Sequence, residues 1–337
     1  MLQSDSHLDV TGVTPLLSIG LLPVLSDAIW TNLIRDGLME LKAKKALVIY
    51  NESAGIGNSN AAENSVVEAL ISNGYEVNLS QIKPEENLIW GTGFPDDSGI
   101  VVCCGGDGTF NQVINRYIGT EEIPKFSYVP CGHTNSFAKS LGIPDDTGAA
   151  IDTVIKGKSY KCDVGKVNEH IFNYVAAFGS ASTLNFVTSQ QMKKVFEYSK
   201  HILRAIGELH MNIGDSFHMA IETDSGSLEG DYIFGAVTNL SAIDGANFGN
   251  NDSFKNNDGV MEMMLIRKPD TRSQAKEVLN VLREGAIDHP LIQITRIKRA
   301  SFVSASDIVW SFDGEYGGIR KEAALEVFKE ALTVQIP

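Results

Sequence analysis

Apolar positions recur along the chain in two rhythms. Ala46–Tyr50, Ile100–Cys104 and Phe126–Val129 are short, continuous apolar runs bounded by loops rich in glycine and asparagine. Runs of that length and setting predict buried strands. After the first come Val66, Val67, Leu70 and Ile71; after the second come Phe110, Val113, Ile114 and Tyr117. Both sets follow the spacing of one helix face. Glu76–Leu79 reads as a further short strand behind the Asn73-Gly74 turn. Strands alternating with helices predict a parallel sheet covered on both faces. In such a sheet the loops that follow the carboxyl ends of the strands line the ligand crevice.

The texture changes near residue 150. Lys161–Val167, Phe172–Phe178, Phe217–Glu222, Tyr232–Asn239, Val260–Ile266, Ile292–Ile297, Ser301–Ser304, Ile308–Phe312, Leu325–Phe328 and Leu332–Ile336 are short, β-rich and separated by turn residues. They predict an all-β sandwich or barrel, interrupted by helices near 189–211 and 271–284. Residues 1–44 read as an extension. Its stripe of Trp30, Ile34, Leu38 and Leu41 behind Asp27 predicts a helix docked on the first domain. The expected organisation is an α/β fold: an extension over 1–44, a three-layer parallel-sheet nucleotide-binding domain over 45–150, and a β-rich, sandwich-like substrate domain over 151–337.

Composition narrows the function. The 337 residues are 43% hydrophobic, enough for a sizeable core, and 28 basic against 42 acidic residues leave a net charge of −14. That balance excludes a general nucleic-acid binder, which needs a broad basic surface. Cys103, Cys104, Cys131 and Cys162 form no zinc or C-x-x-C spacing and read as reduced thiols of an intracellular protein. No basic leader opens the chain and no apolar run approaches the ~20 residues that span a bilayer. The expectation is a cytoplasmic protein, peripheral to a membrane at most.

The sharpest motif is GGDGT at 105–109, placed between a buried strand and an amphipathic helix. Gly105, Gly106 and Gly108 let the backbone turn tightly and approach a ligand closely. The helix that follows offers unpaired N–H groups and a positive dipole end to a phosphate. Asp107 in that turn suits a metal, a ribose or the helix cap. Neither a Walker pattern nor G-x-G-x-x-G is present, so a P-loop and a dinucleotide fingerprint are not supported.

Strand–GGDGTFNQVIN, preceded by an N-x-x-A-G loop and followed by P-x-G-x-x-N-x-F-A, resembles the diacylglycerol kinase catalytic family, which includes sphingosine and ceramide kinases. CDVGKVN at 162–168, FNYVAAFG at 172–179, NNDGVMEMMLI at 256–266 and FDGEYGG at 312–318 continue the resemblance in order. It implies an ATP-dependent lipid kinase that also uses Mg²⁺. Its active site would lie between an α/β domain and a β-sandwich domain. By the same resemblance Asn51, Glu52, Ser53, Ala54, Gly55, Ser80, Gly105, Gly106, Asp107, Gly108, Thr109, Asn111, Gly132, His133 and Asn135 would hold ATP. Glu315 would be the general base, Asp107 a further catalytic residue, and Asp163 the acidic residue that supports the metal-water network. Asp258 with the carbonyls of Lys255 and Val260 would form a structural magnesium turn, and Arg204 a basic contact on the lipid side.

Four positions depart from the family pattern. Glu52 stands where proline is usual, Ile56 where a basic residue is frequent, His133 where threonine is common and Ser136 where an aspartate is common. Relatives frequently continue past the equivalent of Pro337, and the helix around 27–41 is expected to take that place on the first domain. A basic amphipathic stretch with Lys193, Lys194, Lys200, His201 and Arg204 suits peripheral contact with an anionic membrane, and equally a solvated helix face. The expected partner is a membrane lipid of diacylglycerol type, not nucleic acid, with homodimerisation left open. Two rivals remain: an NAD or sugar-phosphate kinase of the wider GGDGT superfamily, and a nucleotide- or lipid-binding homologue of little or no activity.

Overall fold

The structure is a computed structural model that describes residues 44–51, 59–82, 99–120, 123–132, 135–179, 216–239, 256–284, 288–313 and 315–337. The chain divides into Met1–Ala43 and Lys44–Pro337, and all the described residues belong to the second unit. The readings of helices at 27–41 and 189–211 lie outside the described residues.

Four strands run parallel: β1 (Lys44–Tyr50), β2 (Tyr75–Gln81), β3 (Ile100–Gly105) and β4 (Phe126–Pro130). β1 lies between β2 and β3, and β3 pairs with β4. Helix α1 (Ser59–Ser72) follows β1, and α2 (Asp107–Tyr117) follows β3. After β4 come α3 (Ser136–Ser140) and α4 (Thr147–Lys156). Successive side chains of a strand point to opposite faces, and both faces here are covered. Leu47, Ile49, Val101, Cys103, Phe126 and Tyr128 pack with Phe110, Val113 and Ile114 of α2. Ala46, Val48, Val102, Cys104 and Val129 pack with Val66 and Leu70 of α1 and with Ala150 and Val154 of α4. All four cysteines are free, and Cys103, Cys104 and Cys162 are buried as small apolar residues. Ile71, expected on the buried face of α1, is 59% exposed, because one turn past Val67 it lies outside the stripe that meets the sheet.

The remaining strands are mostly antiparallel: β5 (Lys158–Val167), β6 (His170–Phe172), β7 (Val175–Gly179), β8 (Phe217–Thr223), β9 (Gly226–Thr238) and β10 (Met261–Arg267). Helix α5 (Arg272–Arg283), capped by the Thr271 hydroxyl, leads to β11 (Ile292–Ile297) and β12 (Arg299–Phe312). The last strand, β13 (Glu315–Ile336), is 22 residues long. Their core stacks Phe178 on Trp310 at 4.5 Å and gathers Phe172, Phe217, Tyr232, Phe302 and Phe312 around that pair.

Two pairs of expected strands prove continuous. Ser301–Ser304 and Ile308–Phe312 both belong to β12, and Leu325–Phe328 and Leu332–Ile336 both belong to β13. The polar residues between them sit at register shifts, between Val303 and Ile308 and between Phe328 and Leu332. These are bulges, which bend a strand without ending it. Through its length β13 pairs with β12, then with β5, and at Val334 with Phe126 of β4. It thereby joins the parallel strands to the antiparallel ones.

Candidate active site

Asn51, the Gly105–Thr109 turn, Gly132 and Asn135 come together at the carboxyl ends of β1, β3 and β4. The Asn51 amide donates to Thr109 Oγ1 at 3.2 Å, tying the end of β1 to the start of α2. Gly106 and Gly132 press together so closely that a Cβ on Gly132 would lie 2.5 Å from Gly106 Cα. Asn135, at φ 52°, closes onto Gly132: its Oδ1 accepts from Gly132 N at 3.1 Å and its amide donates to Gly132 O at 3.0 Å. An asparagine tolerates that left-handed conformation better than most residues. Asp107 then links its turn to α3, its Oδ1 accepting from Phe137 N at 3.1 Å and from the Tyr128 hydroxyl at 3.4 Å. Burial first, and Asp107's charge second, push the Tyr128 phenol well above its ordinary range, so it remains a donor. Ser80 lies near the carboxyl end of β2, opposite Ile49.

The hairpin from β12 to β13 reaches the same place. A cross-strand pair of Phe312 and Glu315 frames Asp313-Gly314, the dipeptide favoured in two-residue hairpin loops, and Asp313 takes φ 51°. The Asp313 carboxylate is half-buried and accepts four N–H groups. Oδ1 receives Tyr174 N and Val175 N, each at 2.9 Å; Oδ2 receives Asn173 N at 3.1 Å and the Asn111 amide at 2.6 Å. Asn111 also donates to Ile171 O at 3.1 Å. Its amide, expected on the nucleotide, thus fastens α2 to β6 and to the hairpin. Two residues beyond Asp313, Glu315 rests against the first turn of α2: a Cβ on Gly108 would lie 3.4 Å from Glu315 Oε1. Asp107, Gly108 and Glu315 share one neighbourhood.

Asp163 and Asp258 form a second cluster. Asp163 is fully buried; its Oδ2 accepts from Gly259 N at 2.6 Å and its Oδ1 from Glu330 N at 2.7 Å. It pins both the Asn256–Val260 turn and the bulge of β13. Burial raises its pKa against the lowering by those two N–H groups. The Asn239 amide donates to Asp163 O at 2.5 Å and to Asn173 O at 3.3 Å, linking the two clusters. Asp258 Oδ1 accepts from Val260 N at 3.1 Å, and its Oδ2 pairs with Arg296. That pairing does not fit a divalent cation, which seeks carboxylate oxygens and water free of a competing positive charge. Among the described residues no group of three or more His, Cys, Asp or Glu side chains is arranged to hold a metal.

Of the residues expected at the site, Asn51, Gly105, Gly106, Asp107, Gly108, Thr109, Gly132, Asn135 and Glu315 come together. Asp163 and Asp258 belong to the second cluster, as does Val260. Glu52, Ser53, Ala54, Gly55, His133, Arg204 and Lys255 lie outside the described residues. Sequence reasoning missed Asp313, Asn173 and Asn239; the Asp-Gly hairpin signal marks only the first.

Residues 45–167 match the family model of the diacylglycerol kinase catalytic domain. A diacylglycerol kinase of Staphylococcus aureus (strain bovine RF122 / ET3-1) is 25% identical over 281 residues, spanning 82% of this chain and 87% of that protein. The diacylglycerol kinase of strain JH9 is 26% identical over 284 residues with the same coverage. A solved structure of a diacylglycerol kinase from Bacillus anthracis str. Sterne superposes with a TM-score of 0.63 at 16% identity, over 88% of this chain and 98% of that one. The structural likeness establishes the shared fold. Residues 45–167 of this chain are thus similar in sequence to the diacylglycerol kinase catalytic domain.

Proposed function

We propose that this protein is an ATP-dependent lipid kinase that phosphorylates the primary hydroxyl of diacylglycerol or a similar lipid, giving phosphatidic acid or its analogue. The observation that carries the reading is the approach of Glu315 to Gly108, which brings a carboxylate to the diglycine turn and the N-terminus of α2. Phosphoryl transfer asks of a protein chiefly positioning and electrostatic stabilisation, with a group to accept the hydroxyl proton. In this reading the loops after β1, β3 and β4 and the first turn of α2 hold the triphosphate, with Mg²⁺ entering on the nucleotide. Glu315 takes the proton as the lipid oxygen attacks the γ-phosphorus; the bond to the bridging oxygen breaks and ADP leaves. Asp313 and Asn111 position that carboxylate without touching substrate.

Residues 45–150 would act as a three-layer ATP-binding lobe and 151–337 as a sandwich-like lipid lobe. The lipid would be reached from the cytoplasm by peripheral contact at the inner membrane face, with Arg204 on the lipid side. Among the described residues no helix is long and apolar enough to cross a membrane. A panel of diacylglycerol, sphingoid bases, ceramide and NAD, each offered with γ-labelled ATP and Mg²⁺, tests the assignment. Label is expected in a lipid phosphate. Label in NAD alone would overturn the reading, and nucleotide binding without any transfer would favour a sensor.

A further inference from the structure

Arg296 stands on β11 directly opposite Glu262 on β10. Cross-strand partners of an antiparallel pair project from the same face, and the Arg296 Nε reaches Glu262 Oε1 at 3.4 Å. Its Nη2 continues past Glu262 to Asp258 Oδ2. One guanidinium therefore serves two carboxylates, of which Glu262 is buried and Asp258 half-buried. A guanidinium is suited to this, because its planar fork of donors carries a charge that is not lost at any ordinary pH. The turn it holds is otherwise fixed by protein groups: Asp163 N donates to Asn256 O at 2.7 Å, Gly259 N to Asp163, and Val260 N to the Asp258 carboxylate. Gly259 takes φ +84°, a left-handed conformation natural to glycine.

We propose that Arg296 is a built-in cation for this turn, standing where a divalent ion would otherwise neutralise Asp258, so that the turn keeps its shape without bound metal. Two like charges cannot share the Asp258 oxygen cheaply, and the guanidinium is covalently present at all times. A metal would have to displace it and leave Glu262 buried without its partner. The proposal concerns the folding of the turn and is independent of the reaction assigned above.

Thermal unfolding of the full-length chain without nucleotide, in Mg²⁺ and in EDTA, tests it. The wild-type melting temperature is expected to agree in the two buffers within ~1 °C. Arg296→Met is expected to melt lower in EDTA and to recover several degrees in Mg²⁺, because a ligand that binds only the native state stabilises it. Arg296→Lys keeps the cation and is expected to stay insensitive to Mg²⁺; it carries the test if the methionine variant does not fold. A wild-type shift of several degrees in Mg²⁺ that Asp258→Asn abolishes would overturn the proposal. So would an Arg296→Met variant that folds and ignores Mg²⁺.

Discussion

The Asn111 amide and the Asp313 carboxylate, 202 positions apart in sequence, meet at 2.6 Å. Through them the helix behind the diglycine turn and the hairpin that carries Glu315 hold a fixed relation. Asp313 accepts three backbone N–H groups besides, so Asp313→Asn would turn an amide donor toward groups that also donate. Hydrogen bonds to a charged group are strong and costly to leave unmade. Asp313→Asn is expected to lose about 2 kcal/mol or more of stability and to lower turnover more than ATP affinity. A double-mutant cycle with Asn111→Ala, read by urea unfolding, should give a coupling of about 0.5–3 kcal/mol. Simple additivity would deny the link.

Acid should silence the enzyme through the same residue. Burial pushes Asp313 up to about 6, outweighing the lowering by its three backbone N–H partners, and the charge of Asp107 adds to the rise. The four groups that hydrogen-bond the carboxylate are all donors, so an added proton displaces one of them and shifts the hairpin that carries Glu315 without destabilising the fold. Turnover is expected to fall as pH drops through about 6, and the Asp313→Asn profile to lack that limb. The folded pKa exceeds the ~3.9 of an unfolded carboxyl. Asp313's contribution to stability is therefore fullest below that value and is lost as pH rises through about 6. The acid loss of turnover should come without a loss of melting temperature from this group, measured as wild type minus variant.

The close approach of Gly106 and Gly132 leaves no room for a methyl group. Gly132→Ala, with its Cβ 2.5 Å from backbone, is expected to part the two backbones at a cost of about 1–3 kcal/mol and to raise the KM for ATP several-fold. Gly119 makes the contrast: it has φ +96° and open space around its Cβ position. Gly119→Ala should lower the melting temperature through backbone strain and leave the KM for ATP unchanged. Steady-state kinetics on both variants separates loop geometry from general destabilisation.

The parts of this site legible in the sequence are those set by local rules. The apolar run before Gly105 and the 3.6-residue spacing of Phe110, Val113 and Ile114 suffice to place a glycine turn at the end of a buried strand. Local rules do not reach Asp313, because an Asp-Gly pair announces a hairpin and says nothing of an asparagine on a distant helix. The same holds for Arg296: on an alternating strand it reads as a solvated charge until the register sets it opposite Glu262. The length of β13 was hidden by Lys329-Glu330-Ala331, polar enough to read as a break. Their backbone turns out at Asp163, where Glu330, at φ 51°, donates its N–H to the buried carboxylate.

Everything assigned to the reaction rests on Glu315 as the base, and Glu315→Gln tests it most directly. The glutamine keeps the shape beside Gly108 and cannot take the proton. With diacylglycerol micelles, labelled ATP and Mg²⁺, the account predicts a fall in kcat of about 10²–10⁴-fold with the KM for ATP little changed. Full turnover by Glu315→Gln on the same lipid would contradict it.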